Sequence, residues 1–139
     1  MDLERFVRAQ ARTYDDALAE LRAGRKTGHW IWWIFPQAAG LGQSPTSRAY
    51  AIADLAEATA YLSHDVLGPR LRECCRALLA LDGASAEEAL GGIDAVKLRS
   101  SMTLFTLADP EEPLYAEVLD RFYGGARDER TVALLDRHP

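Results

Sequence analysis

Hydrophobic positions recur every three or four residues along most of the chain, which is the spacing of amphipathic helices. The first such stretch runs from Leu3 to Leu21 and ends before Gly24, a residue suited to the left-handed conformation that follows a helix. Polar Gln10 and Tyr14 lie on or beside its apolar stripe. Each of them therefore needs a hydrogen-bonding partner or a cavity to face.

From residue 44 onward, residues that typically begin a helix, such as a capping residue followed by proline or glutamate, predict a series of shorter helices. The predicted starts are, in chain order, Ser44-Pro45, Gly68-Pro69, Ser85, Asp94 and Asp128. Asp54 is expected to restart or bend the helix that begins at Ser44, and the apolar pattern from Leu114 to Tyr123 predicts a further helix. Asp94 is expected to cap a long helix from Ala95 to Ala108, with Val96 and Leu98 in its apolar stripe. In the last helix we expect Val132, Leu134 and Leu135 to be buried.

An aromatic segment, residues 29–37, holds all three tryptophans of the chain: Trp30, Trp32 and Trp33. Its pattern fits either a helix or a strand, but no other segment offers a convincing strand partner. We therefore favour a short helix that is stopped by Pro36. The sequence predicts an all-α protein, with seven or eight short helices in a single compact domain spanning residues 1–139.

Composition supports a globular protein, because 48% of the 139 residues are hydrophobic and 27% are charged. The longest apolar stretch, Trp30 to Pro36, is far shorter than the roughly 20 residues that cross a bilayer. The N-terminus lacks the basic and apolar regions of a signal peptide, so we expect a cytoplasmic protein. The adjacent Cys74 and Cys75 diverge by about 100° on a helix. We expect one to be packed and one to lie at the surface, without a disulfide bond or a metal.

The net charge of −5 argues against non-specific binding to nucleic acid. Positive charge nevertheless gathers around the aromatic segment, with Arg22, Arg25 and Lys26 before it and Arg48 after it. A solvated helix end that complements the helix dipole is the more ordinary explanation for Arg22 and Arg25.

The aromatic segment combines a flat apolar wall with polar neighbours, which is typical of a ligand pocket. His29 at its start fits a general base, a donor to a ligand or a helix-capping residue. Only three histidines exist, so we expect no metal site, and no motif indicates a cofactor. The turn at Gly40-Leu41-Gly42 lacks the pattern of a phosphate loop. A simple role as the core anchor of a helical domain also remains open for this segment.

A second candidate cluster lies on the predicted late helix, where Asp94, Lys97 and Ser101 share one face and Ser100 lies beside them. A lysine between an aspartate and a serine can hold an anion or, when desolvated, activate a hydroxyl. The structural alternative is an ordinary cap with a surface ion pair.

These segments resemble those of a bacterial and fungal family, domain of unknown function family 1810, whose members are sometimes mislabelled as calpastatin. The resemblance covers nearly the whole chain and rests on Phe6–Gln10, Tyr14, His29-Trp30, Trp32, Phe35–Gln37, Gly40–Gly42, Ser44, Ser47, Tyr50, Asp94, Lys97 and Ser100–Phe105. It implies an all-helical single domain and no established activity. The usual histidine-proline after the fourth helix is His64-Asp65 here.

We expect the aromatic segment and the Lys97 cluster to meet in space and form one pocket. Flat aromatic surface beside a cation suits a small anionic heterocyclic ligand, such as a nucleotide, ADP-ribose or an NAD-derived compound, which would be bound or hydrolysed. The expected catalytic residues are His29, Lys97 and Ser101. The expected ligand-binding residues are Trp30, Trp32, Trp33, Gln37, Gly42, Ser44, Ser47, Arg48, Tyr50, Asp94 and Ser100.

The alternative function is a non-enzymatic protein-interaction module that exposes residues 29–37 as an aromatic patch. Under the pocket hypothesis the partner is a small molecule and the protein is a monomer or a homodimer. Under the alternative, the tryptophans are exposed to solvent and no polar cavity adjoins them.

Overall fold

A computed structural model describes residues 1–137, which form nine α-helices and no β-strand. The helices are α1 (Glu4–Ala23), α2 (Ile31–Ile34), α3 (Pro45–Ala49), α4 (Leu55–Ser63), α5 (Leu67–Leu79), α6 (Ala86–Leu90), α7 (Gly92–Ala108), α8 (Leu114–Tyr123) and α9 (Glu129–Arg137). The prediction of an all-α fold is confirmed. The predicted count of seven or eight helices is slightly low.

The count differs because α3 and α4 are separate helices and not one bent helix. Between them the chain leaves the helical conformation at Tyr50, and Ile52 pairs with Ala38 in an isolated parallel bridge. The Ile52 N–H donates to the Gln37 carbonyl at 2.8 Å, and the Ala39 N–H donates to the Ile52 carbonyl at 2.8 Å. These two bonds tie the chain after the aromatic segment to the chain after α3.

Helix α7 lies at the centre of the fold, in contact with α2, α4, α6, α8 and α9. Its interior residues include Leu98, Met102 and Phe105, which are all completely buried. Four hydroxyl-bearing residues of this helix, Ser100, Ser101, Thr103 and Thr106, are buried as well.

Three of those hydroxyls bond to backbone carbonyls one turn earlier in α7, which satisfies them inside the core. Ser100 donates to the Val96 carbonyl at 3.2 Å, and Thr106 donates to the Met102 carbonyl at 2.7 Å. Thr103 makes the equivalent bond to the Arg99 carbonyl.

The aromatic segment is fixed to α1 by the carboxylate of Glu20. That carboxylate accepts hydrogen bonds from the Thr27 N–H at 2.7 Å, the Gly28 N–H at 2.8 Å and the Trp30 indole N–H at 3.0 Å. Partial burial raises the pKa of Glu20, but the bonds from Gly28, Thr27 and Trp30 outweigh it and hold the pKa below its ordinary value. The charged carboxylate therefore stabilises this connection.

A buried amide makes the second connection between α1 and the aromatic segment. The Gln10 side-chain N–H₂ donates to the Trp33 carbonyl at 2.7 Å and to the Tyr61 hydroxyl at 3.1 Å. Gln10 is 1% exposed. The Gln10 amide therefore has the hydrogen-bonding partners that a polar group on the apolar stripe needs.

The cysteine prediction is wrong, because both Cys74 and Cys75 are buried. Helix α5 is covered on several sides by α1, α4 and α8, so its buried face is wide enough to include two adjacent residues. The Cys75 sulfur lies 3.7 Å from that of Met102. Burial raises the pKa of Cys74 to about 12 and that of Cys75 well above its ordinary value, so both are inert thiols.

The start of α5 also differs from the prediction, since the helix begins at Leu67 and includes Gly68 in its first turn. A Cβ at Gly68 would lie 2.1 Å from the Leu62 carbonyl oxygen, so only glycine allows α4 and α5 to approach this closely. His64 Nδ1 accepts hydrogen bonds from the backbone N–H groups of Val66 and Leu67, at 3.1 and 3.3 Å. His64 therefore caps α5.

Four further positions differ from their predictions. Helix α7 begins at Gly92, so Asp94 lies in its first turn and does not cap it. Val96 is 63% exposed, since it lies on the side of α7 that no other described helix covers. In α9, Leu135 is buried, but Val132 and Leu134 are only partly buried. Gly24, Ser44 and Ser85 mark helix ends as predicted.

Within residues 1–137, no helix is both long enough and apolar enough to cross a membrane.

Replacing Gln10 with Met should lower the free energy of unfolding by about 1–3 kcal/mol, because the Trp33 carbonyl and the Tyr61 hydroxyl lose a buried donor. Urea unfolding measures the loss. Gln43→Met is the matched control, since Gln43 is exposed, and it should change stability by less than about 0.5 kcal/mol. Equal effects of the two substitutions would contradict the role given to the buried amide.

Glu20→Gln should lower stability at neutral pH by about 1 kcal/mol, because the charged acceptor of three N–H groups is lost. The pKa of Glu20 is lower in the folded state, so its contribution is full above the ordinary glutamate pKa and disappears as the pH falls through the folded value. The stability difference between wild type and variant should therefore shrink under acidic conditions. The control is Asp16→Asn, an exposed position on α1, and the measurement is urea unfolding across the acidic range. A difference that does not change with pH would refute the assignment.

Candidate functional site

Trp32 lies at the surface between two neighbouring depressions and lines both of them. The first cavity has a volume of about 280 Å³ and is lined by Trp32, Gln37–Gly42, Ser47, Arg48, Tyr50 and Ala51. The second is more open, has a volume of about 340 Å³, and is lined by Lys26, His29, Trp32, Leu90–Asp94 and Lys97. We call the two cavities together the Trp32 site.

The first cavity is enclosed by the loop after α2 and by α3. A Cβ on Gly42 would lie 2.4 Å from Ser47 Oγ, so glycine is needed for the loop to pack this closely on α3. Ser44 caps α3 by accepting the Ser47 N–H at 3.1 Å. The loop is further held by the pairing of Ala38 with Ile52. The cavity is therefore preformed.

The far wall of the first cavity is positioned from α1. Arg5 donates from Nε to the Ala49 carbonyl at 2.9 Å and from Nη2 to the Ala51 carbonyl at 2.8 Å, and its Nη1 lies 3.3 Å from Glu57 Oε2. Tyr50 lies between Ala49 and Ala51 in the chain, and its ring packs against that of Trp33 with the two centroids 5.1 Å apart. The exposed Arg48 bonds to Gln43 at 3.1 Å on the rim and gives this cavity a positive charge.

The second cavity contains a group of three charges around Asp94. Lys97 Nζ lies 3.5 Å from Asp94 Oδ1, and Lys26 Nζ lies 2.6 Å from Asp94 Oδ2. The Lys97 ammonium also lies 4.6 Å from the centroid of the Trp32 ring, a distance typical of a cation–π contact. The Lys97 side chain is 24% exposed, whereas that of Lys26 is 7% exposed. Lys97 is therefore the ammonium that solvent or a ligand can reach.

The electrostatic balance of the second cavity favours an anion. Two ammonium groups face one carboxylate, and the exposed His29 adds a donor at the edge. Helix α7 begins here without a side-chain cap, and its first residues, Gly92 and Ile93, line the depression. The positive end of the helix dipole adds to the same effect.

The structure brings nine of the fourteen predicted site residues to the Trp32 site: His29, Trp32, Gln37, Gly42, Ser47, Arg48, Tyr50, Asp94 and Lys97. The aromatic segment and the Lys97 cluster thus meet in space through Trp32 and Lys97, as the sequence analysis expected. They do not form the expected single pocket, because their residues line two adjoining cavities that share Trp32.

Five predicted site residues, Trp30, Trp33, Ser44, Ser100 and Ser101, line neither cavity. Trp30 is only 2% exposed and bonds to Glu20. The Trp33 indole N–H bonds to Thr13 Oγ1 at 2.8 Å, which turns that ring toward α1. These two tryptophans anchor the segment, and only Trp32 is left as a surface for a ligand.

The three serines among these five residues lie outside the two cavities for different reasons. Ser44 is an exposed cap, and Ser100 bonds to its own helix. Ser101 is completely buried, and its Oγ has no hydrogen-bonding partner within the described residues. Lys97 is partly exposed, whereas Ser101 lies in the core, so Ser101 does not belong to the Trp32 site.

Sequence reasoning missed Lys26 and the Gly91-Gly92 turn as parts of the second cavity. The gathering of basic residues before the aromatic segment was a signal for Lys26. Adjacent glycines where α6 ends and α7 begins indicate by themselves only a helix boundary. Nothing in the local pattern indicated that Lys26 pairs with a carboxylate 68 positions away.

The comparisons with known proteins identify the family. The family model described as "Protein of unknown function (DUF1810)" matches residues 1–135. The chain is similar to the conserved hypothetical protein Rv1873 from Mycobacterium tuberculosis, whose crystal structure is known, and the two sequences are 52% identical. The two structures superpose with a TM-score of 0.95, and the match covers 97% of this chain and 96% of that one. No curated protein shows a significant match. The chain therefore belongs to the DUF1810 family of proteins of unknown function.

Proposed function

We propose that this protein binds a small anionic ligand that carries a flat heterocyclic ring, such as a nucleotide or an ADP-ribose-like or NAD-derived compound. The observation that carries the proposal is the contact of the Lys97 ammonium with the Trp32 ring, at 4.6 Å, between two adjoining cavities. A ring-stacking surface and a cation are the two features that such a ligand requires.

The first cavity is suited to the ring of the ligand. Its walls include Trp32, the half-buried Tyr50 and Gln37, a residue whose side chain carries an amide. An amide can both donate and accept hydrogen bonds, as recognition of a heterocycle requires. The volume of about 280 Å³ lies at the small end of the range for ligand pockets. It suits one ring with its sugar better than a complete dinucleotide.

The second cavity is suited to the anionic part. Asp94 is shared between two lysines, so one positive charge is left uncompensated, and Lys97 is the more exposed of the two. His29 lies at the edge as a further donor. A ligand that spans Trp32 would place its ring in one cavity and its phosphate groups beside Lys97, with Arg48 available on the opposite rim.

The distribution of exposed side chains supports ligand binding over the interaction-module alternative. That alternative requires an exposed aromatic patch at residues 29–37, but Trp30 is buried and Trp32 and Trp33 are half-buried. Among the described residues, the exposed large apolar side chains are Met1 and, on α7, Ile93 and Val96, all outside residues 29–37. Binding is also better supported than hydrolysis, because Ser101 lines neither cavity, which leaves His29 and Lys97 without the nucleophile of the expected catalytic set.

A titration with AMP, ADP, ADP-ribose and NAD should change the intrinsic tryptophan fluorescence, because Trp32 would stack against the ring. The best ligand should also raise the melting temperature, by linkage between binding and folding. In Trp32→Leu the fluorescence change should be lost, while Trp30 and Trp33 still report on the fold. If no compound shifts either signal at millimolar concentration, or if Trp32→Leu responds like the wild type, the proposal is wrong.

Lys97→Met should weaken binding of the best ligand at least about tenfold, because a charged hydrogen bond of roughly 1.5 kcal/mol or more is removed. Stability should change by no more than about 1.5 kcal/mol, since methionine keeps the apolar stem and Asp94 keeps its bond to Lys26. Isothermal titration calorimetry and urea unfolding measure the two effects. Arg12→Met, which removes an exposed charge from α1, is the control and should leave binding unchanged. Equal loss in both variants would mean that Lys97 has no specific role.

A further inference from the structure

A third depression lies between the end of α1 and the face of α5, and it shares no lining residue with the Trp32 site. Its volume of about 570 Å³ exceeds that of either cavity at the Trp32 site. We call it the arginine groove, because Arg22, Arg70 and Arg76 line it and Glu73 is its one carboxylate. The groove is thus locally positive on a chain whose net charge is −5.

The cations of the arginine groove are partly organised before any ligand binds. The Arg70 guanidinium lies over the Tyr14 ring, with its carbon 4.6 Å from the ring centroid. The Tyr14 hydroxyl donates to Glu73. Helix α1 therefore supports both Arg70 and Glu73 through one aromatic side chain, and it contributes Arg22 to the groove itself.

Two of the three arginines are available to a partner. Arg22 approaches Glu73 only at 3.8 Å, and the two side chains are 62% and 47% exposed. An ion pair this long and this exposed contributes little free energy. Arg76 is exposed and makes no ion pair within 4.0 Å among the described residues. The carboxylate of Glu73 therefore leaves most of the positive charge uncompensated.

The shape of the groove favours an extended chain over a compact anion. Its lining runs from Pro69 to Leu81, which corresponds to about 18 Å along a helix. An extended peptide advances about 3.3 Å per residue, so five or six residues would cover it. Ala77 and Leu81 provide apolar contact between the charged positions. A single phosphate group would occupy only one end.

We propose that the arginine groove binds an acidic, extended segment of a partner protein, whose carboxylates pair with Arg22 and Arg76, while Arg70 stays over the Tyr14 ring and adds positive charge. Guanidinium groups match carboxylates in bidentate geometry, and alternating apolar side chains of the segment would contact Ala77 and Leu81. The inference is independent of the function proposed for the Trp32 site.

The test is fluorescence anisotropy with a labelled peptide of sequence Glu-Leu-Glu-Leu-Glu-Leu, in which apolar residues alternate as in the proposed segment, and, for comparison, Lys-Leu-Lys-Leu-Lys-Leu. The wild-type protein should bind the acidic peptide and not the basic one, and added salt should weaken binding. Arg22→Glu combined with Arg76→Glu should weaken binding about tenfold or more. Arg12→Glu combined with Arg130→Glu changes the net charge equally at exposed positions outside the groove and should alter binding less than about twofold.

Three outcomes would overturn the proposal. The first is no saturable binding of the acidic peptide up to about 1 mM. The second is equal weakening in the two double variants, because the effect would then come from net charge alone. The third is displacement of the peptide by tripolyphosphate at a lower concentration than unlabelled peptide requires, which would make the groove a phosphate site. Thermal unfolding of both double variants establishes that each is folded.

Discussion

The position of the Trp32 ring depends on the way in which the two neighbouring tryptophans are held by α1. Trp30 is bound through its indole N–H to Glu20, and Trp33 through its indole N–H to Thr13. Gln10 adds a bond to the Trp33 backbone. A helix of only four residues has little stability of its own, so these side-chain bonds determine its orientation. The ring between the two anchored tryptophans is consequently directed away from α1, toward α3 and α7.

Charge in the second cavity follows from the same arrangement. Lys26 is nearly buried, and its ammonium is compensated by Asp94 and by the face of the Trp30 ring. Lys97 shares that carboxylate at a longer distance and remains partly hydrated. Asp94 thus stabilises a buried cation and orients an accessible one. A single carboxylate could not neutralise both, which is why the cavity keeps its positive character.

Much of the fold could be predicted from local signals. Gly24 and Ser44-Pro45 mark helix ends through backbone preferences that need no tertiary partner, and the Ser85–Glu88 capping box formed as the sequence indicated. The errors occur where tertiary contacts override such preferences. Asp94 is a good capping residue by type, but in the structure it binds two lysines.

The candidate site could be predicted only in part, because the sequence shows its local segments but not their tertiary contacts. Its two segments stand out by composition, so their meeting at Trp32 and Lys97 could be anticipated. The sequence could not show which tryptophan is accessible, because Glu20 and Thr13 of another helix bind Trp30 and Trp33 and leave Trp32 free to line the cavities. Serine in a helix suits a polar pocket and a close helix crossing equally well. The sequence pattern therefore could not show that Ser101 lies in the core.

The contacts of the aromatic segment differ greatly in the length of chain that they close. Glu20 and Trp30 are ten positions apart, and closing so short a loop costs little conformational entropy. Lys97 and Trp32 are 65 positions apart, and their contact requires most of the intervening helices to be in place. During folding, we therefore expect the tryptophans to dock on α1 early and the cation to reach Trp32 late, when α7 enters the core. The aromatic wall forms locally, whereas the charge beside it depends on completion of the whole domain.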